Sequence, residues 1–136
     1  MNTSRSSNTG LMESIRILLV DDELPVRRAL RMRLQAEEGL SVVGEASNGA
    51  AAVQLALELN PDVVLMDVRM PVMGGIQATA EIKAVLPAVK VLVLTMHDSA
   101  AIRAEAEQAG ASEVLAKELV EEGLLPAILK LIKERS

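Results

Sequence analysis

Four apolar runs in this chain each end in a residue able to do chemistry. IRILLV (15–20) runs into Asp21-Asp22, VVLM (63–66) into Asp67, VKVLVL (89–94) into Thr95 and EVLA (113–116) into Lys117. If the runs are parallel strands, their carboxyl ends share one edge of the sheet, where ligands bind in open α/β folds. That edge then gathers three carboxylates, a hydroxyl and an ammonium. Two like charges about 4 Å apart repel by about 4 kcal/mol at an effective dielectric near 20. The carboxylates therefore call for a cation, a raised pKa or a lysine. Lys117 supplies one positive charge. A hard divalent ion suits the rest, because one or two carboxylates with water and phosphate oxygens are the usual way of holding Mg²⁺. Thr95 adds a hydroxyl donor for an anionic oxygen. With no Gly-rich nucleotide loop, the set suits a phosphoryl group carried on one carboxylate, an aspartate being a competent nucleophile. The metal and Lys117 would neutralise the phosphoryl oxygens in the transition state.

Singly, each residue has an ordinary explanation. An Asp after a strand commonly caps the next helix, a Thr ending a strand is usually structural, and a Lys is usually solvated. What favours a site is their joint occurrence at the ends of the first, third, fourth and fifth strands.

The elements that would position these groups alternate strand and helix five times, the pattern of α/β architecture around a parallel sheet. Strands are expected at Ile15–Val20, Ser41–Glu45, Val63–Asp67, Val89–Thr95 and Glu113–Ala116. The first helix starts near Pro25, with Val26, Leu30 and Leu34 on one face, and ends at Gly39. Asn48-Gly49 marks a turn, after which Ala52, Leu55, Ala56 and Leu59 share a helical face until Asn60-Pro61 stops it. The third helix covers about Ile76–Val85, the fourth Ser99–Ala109 with Ser99 as its cap, and the fifth Glu122–Arg135. The fifth carries two apolar stripes, Leu124/Ile128/Leu131 and Leu125/Leu129/Ile132. The second is a candidate contact surface for a partner, either another copy or a second domain.

Composition narrows the function. The chain has 136 residues, enough for one domain, and no run near the ~20 apolar residues that span a bilayer. Zero cysteines and one histidine exclude disulfides, thiol catalysis and His-rich or Cys-ligated metal sites. The absence of Phe, Tyr and Trp removes stacking platforms for flavins, bases or sugars. A net charge of −5 argues against direct nucleic-acid binding by this segment and leaves no reason to expect a membrane partner. Residues 1–14 are expected to be a disordered tail, with Met12 as an alternative start, and 15–136 the folded domain. No targeting signal is visible, so the expected location is cytoplasmic.

At the strand ends the chain resembles the receiver domain of bacterial two-component response regulators. The motifs are LLVDDE (18–23), LMDVRMPVMGG (65–75), VLVLTMHD (91–98) and AGASEVLAK (109–117). The wording of Gly44-Glu45-Ala46 and Thr95-Met96-His97-Asp98 is most similar to NarL/FixJ-type regulators, which add a helix-turn-helix output domain. No such domain is expected among these 136 residues, whose last expected element is the fifth helix. The resemblance implies a CheY-like (βα)5 fold, a doubly wound five-stranded parallel sheet in the flavodoxin-like order 2-1-3-4-5. It implies that Asp67 accepts a phosphoryl group from the phosphohistidine of a sensor histidine kinase. Asp22 and Asp67 would contact Mg²⁺ directly, Asp21 through water, and the Arg69 backbone carbonyl would add a ligand. Lys117 would pair with the phosphoryl oxygens, and Thr95 would move to hydrogen-bond them. Pro71 and Gly74 would shape the acceptor loop. Arg69 and His97 would flank the phosphoryl group and tune its lifetime. The family promotes its own phosphorylation and dephosphorylation without being an enzyme in the turnover sense, and often dimerises through the surface of its fourth and fifth helices.

Two departures stand out. Val114 occupies the position, three residues before Lys117, where the family usually has an aromatic ring that swings inward as the threonine moves. A stiff β-branched side chain has no such motion, so the ring that relays the threonine's movement in the family has no counterpart here. Glu118 follows Lys117 where many members have proline. Three other classes compete: a Mg²⁺-dependent phosphatase, an acceptor-dead interaction module, and a stand-alone receiver or phosphate sink. The phosphatase usually has a second Asp two residues after its nucleophile, where Arg69 stands here. The intact acidic pair, Asp67, Thr95 and Lys117 speak against the acceptor-dead module.

Overall fold

A strand that is apolar at every position must be covered on both faces, and Val63–Asp67 (β3) has all of its residues buried. It is the central strand. The computed structural model describes residues 14–133. Ile15–Val20 (β1), Leu40–Ala46 (β2), β3, Lys90–Thr95 (β4) and Glu113–Ala116 (β5) form one parallel sheet in the order β2-β1-β3-β4-β5. This is the expected flavodoxin-like α/β architecture. Helices Leu24–Gln35 (α1), Gly49–Leu59 (α2), Gly75–Val85 (α3) and Ala100–Ala109 (α4) make the crossovers, and Val120–Lys133 (α5) follows β5. The expected tail and Met12 fall outside the described residues, apart from Ser14, as does the end of the last helix at Arg135.

Alternation along the strands divides the core into two layers. Ile17, Leu19, Val63, Leu65, Leu92 and Leu94 pack with Leu30 and Leu34 of α1 and with Leu124, Ile128 and Leu131 of α5. Leu18, Val20, Val64, Met66, Val91 and Val93 pack with the small buried faces of α2, α3 and α4, among them Ala52, Ala56, Ala78 and Ala106. Alanines let those helices lie close to the sheet, so their ends are held firmly against the strand ends that carry the polar residues.

The helix starts differ from the sequence expectation in two places. Asn48-Gly49 is the head of α2 rather than a free turn: the Asn48 side chain accepts a hydrogen bond from the Ala51 N–H at 2.9 Å, capping the helix. The last helix begins at Val120, after a 3₁₀ turn over Lys117–Leu119, and not at Glu122. Val120 stands four residues before Leu124 and packs against the same core layer, so it extends the buried stripe by a turn. Pro126 lies inside α5. A proline there costs about 3 kcal/mol, but full burial of Leu124, Ile128 and Leu131 contributes about 1.5–3 kcal/mol each, so the helix continues through it. Of the second stripe, Leu125 and Ile132 are half-buried against the core, leaving Leu129 as its exposed member at 53%.

Candidate functional site

The sheet register sets the side chains next to one another. Val20 pairs with Met66, so Asp21 and Asp67, one step further on, stand side by side. Asp67 pairs with Leu94, which puts Thr95 one residue beyond it, and Thr95 pairs with Ala116, which puts Lys117 next. Asp21, Asp67 and Thr95 are buried, at 2%, 6% and 3% exposure, while Asp22 is exposed at the mouth.

Lys117 reaches across the edge, its Nζ 2.9 Å from Asp21 Oδ2 and 3.0 Å from Asp67 Oδ1. The other Asp21 oxygen accepts from the Glu23 N–H at 2.9 Å. Glu23 holds the cap position of α1 with no side-chain bond, so neither Asp21 nor Asp22 is the ordinary helix cap that each could have been. Burial pushes the Asp67 carboxyl above the usual aspartate range; the bond to Lys117 opposes this, and the Asp21 and Asp22 charges reinforce it. Burial also works against the Lys117 charge, but the two carboxylates outweigh it and hold the ammonium above the usual lysine value. One lysine thus leaves the site short of positive charge.

A hard cation fits that shortage. One oxygen from each of Asp21, Asp22 and Asp67 lies within 4.8 Å of the others, an all-oxygen donor set open to solvent through Asp22. A cavity of about 250 Å³ lies over it, lined by Asp22, Asp67, Arg69, Thr95, His97 and Lys117 among others. The candidate residues therefore converge, with Asp21 behind Lys117. The His97 side chain is exposed, and its backbone N–H donates to Thr95 Oγ1 at 3.0 Å.

The loop after β3 holds features that residue types and spacing do not reveal. The tight approach to β3 is made by Gly75, not by Gly74: a Cβ on Gly75 would lie 1.8 Å from the Asp67 carbonyl oxygen, and one on Gly74 only 3.3 Å from that of Val68. Gly75 N–H donates to Val68 O at 2.8 Å, and Thr79 Oγ1 donates to Gly75 O at 2.8 Å. On the outer side, Gly49 N–H donates to Met73 O at 2.9 Å, tying the loop to the head of α2. Val72, 86% exposed, has a φ of +70°, a left-handed conformation that a β-branched residue adopts only under strain. Val72→Asn should raise stability by about 0.5–1 kcal/mol, since asparagine tolerates this region and little packing is lost. Urea midpoints at equal slope check it, and a lower midpoint for the variant would contradict the strained loop.

Val114 is 6% exposed and packs inward in one core layer with Val93 and Ala106. Beside it, a surface groove of about 380 Å³ runs between β5 and α5, with Arg103 and Lys130 on its walls. No helix among the described residues is long and apolar enough to cross a membrane.

The sequence pattern described as the response regulator receiver domain matches residues 17–129. The transcriptional regulatory protein LnrK of Bacillus subtilis is 44% identical over 115 residues, covering 85% of this chain and 52% of LnrK. The response regulator GacA of Pseudomonas aeruginosa is 41% identical over 114 residues, covering 84% of this chain and 53% of GacA. The chain thus spans about half the length of the curated relatives it matches. Among solved structures, a LuxR-family two-component response regulator from Aurantimonas sp. superposes with a TM-score of 0.86 at 36% identity, over 90% of this chain and 88% of that one. The signal receiver domain of the putative response regulator NarL from Mycobacterium tuberculosis gives 0.82 at 36% identity, over 90% and 98%. With the strand order, the acidic edge and the lysine in place, the chain belongs to the response regulator receiver domain family, and its relatives include regulators of the NarL/LuxR type.

Proposed function

We propose that Asp67 accepts a phosphoryl group from the phosphohistidine of a sensor kinase and that the acyl phosphate switches a regulatory output. The observation that carries this reading is Lys117, held 2.9 Å from Asp21 and 3.0 Å from Asp67 at the mouth of an acidic cavity. An Asp67 oxygen forms a bond to phosphorus while the bond from phosphorus to the imidazole nitrogen breaks, and the electron pair leaves with the imidazole. Asp22 and Asp67, with Asp21 through water and the Arg69 carbonyl, would hold Mg²⁺, which would supply positive charge against the phosphoryl oxygens. Lys117 already faces the Asp67 carboxylate, so its ammonium meets charge that develops there. The Thr95 hydroxyl accepts from the His97 N–H and keeps its own proton for a phosphoryl oxygen. Arg69 and His97 edge the cavity and set access of water to the acyl phosphate.

The chain works in the cytoplasm, and its output is transcription, through a DNA-binding domain that these residues do not include. LnrK, named a transcriptional regulatory protein, supports that. Phosphorylation alters self-association through the surface of α4 and α5, where Leu129 is exposed. The buried Val114 favours a second reading, a receiver that takes phosphate as a sink without relaying it.

A small phosphodonor with Mg²⁺ tests the chemistry. One hydroxylamine-labile phosphate per chain is expected, absent in Asp67→Asn and in excess chelator. Continuous release of phosphate at enzyme rates would point to a phosphatase, and no labelling to an interaction module. Sedimentation of labelled and unlabelled protein separates the outputs: a shift supports the switch, and identical profiles favour the sink.

A further inference from the structure

Arg27 of α1 joins two elements at the acidic edge. Its Nη1 donates to the Asp21 backbone carbonyl at 2.6 Å, and its Nε donates to Glu45 Oε1, on β2, at 2.9 Å. Arg31, one turn along, donates to the other Glu45 oxygen, so the carboxylate is held on both sides. The Arg27 and Glu45 side chains are only 15% and 23% exposed, which sets this network apart from a solvated surface pair.

Every other polar group of Asp21 is already engaged. Its N–H donates to Ala46 O at 3.1 Å, one side-chain oxygen accepts from Glu23 N–H and the other from Lys117 Nζ. The carbonyl is the remaining handle, and Arg27 holds it. Because a peptide unit is planar, fixing that carbonyl fixes the peptide joining Asp21 to Asp22, and with it the point from which the Asp22 side chain departs. Asp22 is the exposed carboxylate of the three, with no hydrogen bond of its own in the network.

We infer that Arg27, braced by Glu45, is a positioning residue that sets Asp22 for Mg²⁺; this rests on the metal reading above. The bland alternative is a staple of α1 to β2 with no bearing on the metal. The two differ in sign. Deleting a positive charge near a cation site should tighten cation binding by electrostatics alone, whereas loss of positioning should weaken it. Groups that orient a metal ligand typically contribute about 10–100-fold in affinity.

Calorimetric titration of the full chain with Mg²⁺ decides this. Arg27→Gln is expected to weaken binding on the order of tenfold. Arg27→Lys should weaken it too, because a single ammonium does not reproduce the fork that spans Asp21 and Glu45. In metal-free protein, the Asp22 and Glu23 amide resonances should move in both variants while those of α3 and α4 stay in place. Equal or tighter Mg²⁺ binding in the variants, with the parent binding normally, overturns the positioning role alone. A parent chain that binds no Mg²⁺ overturns the metal reading and the positioning role with it. Should Arg27→Gln not fold, Arg27→Lys gives the same decision.

Discussion

Lys117→Met is expected to cost the metal-free protein about 3–5 kcal/mol at neutral pH, the usual cost of removing one partner from a buried ion pair. Methionine keeps much of the stem but leaves the Asp21 and Asp67 carboxylates without the ammonium now 2.9 and 3.0 Å away. Water at the open mouth screens part of this, which favours the lower end of the range. The pH dependence separates lost charge from lost packing. Asp67 already lies above its ordinary value of 3.8, because of burial first and then its acidic neighbours, and loses its main opposing influence with Lys117. A carboxyl whose folded value exceeds its unfolded value binds its proton more tightly when folded, so protonation relieves the penalty. The loss is therefore full above the raised Asp67 value and fades as pH falls through it towards 3.8. Lys117 itself is raised above 10.5, so its contribution is complete below that value and disappears as pH climbs through the folded one. The deficit should form a plateau between those limits. Mg²⁺ should stabilise the variant more than the parent, by replacing the missing charge. Urea midpoints across pH, with and without Mg²⁺, measure all of this. A deficit unchanged at pH 3 and indifferent to Mg²⁺ would make Lys117 a packing residue.

The strand ends were readable in the sequence because each carries a residue type that has no place in an apolar run. Asp67 after VVLM and Thr95 after VKVLVL mark the end of burial as well as the site, and both strands end where expected. Local signals were ambiguous where one residue can do two jobs. Asn48-Gly49 serves equally as a turn or as a helix head, and only the bond from Ala51 N–H to the Asn48 side chain decides it. Asp21 and Asp22 raised the same question with the opposite outcome, since α1 starts at Leu24 without either of them as cap. α5 starts before the expected Glu122 because Val120 reads as part of a connection by sequence yet packs in the core with Leu124. What was out of reach depended on contacts between distant segments. The bond from Arg27 to the Asp21 carbonyl passes through the backbone, on which the residue type leaves no mark. The residue type of Val114 shows only the missing ring, while its inward packing with Val93 and Ala106 follows from the strand's face.

The glycine pair after the acceptor shows the same limit and leads to the other large expected effect. Gly75→Ala should destabilise the protein by about 3–5 kcal/mol, at the severe end for an added methyl group. Gly74→Ala should change stability by less than about 1 kcal/mol. Backbone freedom does not separate them: neither glycine has a positive φ, and Gly74, at φ −73°, adopts a conformation open to alanine. Space does. The added Cβ at Gly75 would lie 1.8 Å from the Asp67 carbonyl oxygen and 2.8 Å from its carbon, so what must yield is main chain, at the acceptor itself. The head of α3 cannot retreat freely, because the Gly75 N–H is bonded to Val68 O and the Gly75 carbonyl to Thr79 Oγ1. At Gly74 the nearest contact is 3.3 Å, and a small adjustment is offset by the reduced freedom of the unfolded chain, worth about 0.4–1 kcal/mol. Thermal or urea unfolding of the two variants side by side gives the contrast, and equal stability would refute the close approach of α3 to β3. Any Gly75→Ala protein that folds must carry Asp67 displaced relative to Lys117, so it should also label poorly with a phosphodonor, while Gly74→Ala labels like the parent. One methyl group would then link the two properties, because the backbone that α3 abuts is the backbone that presents Asp67.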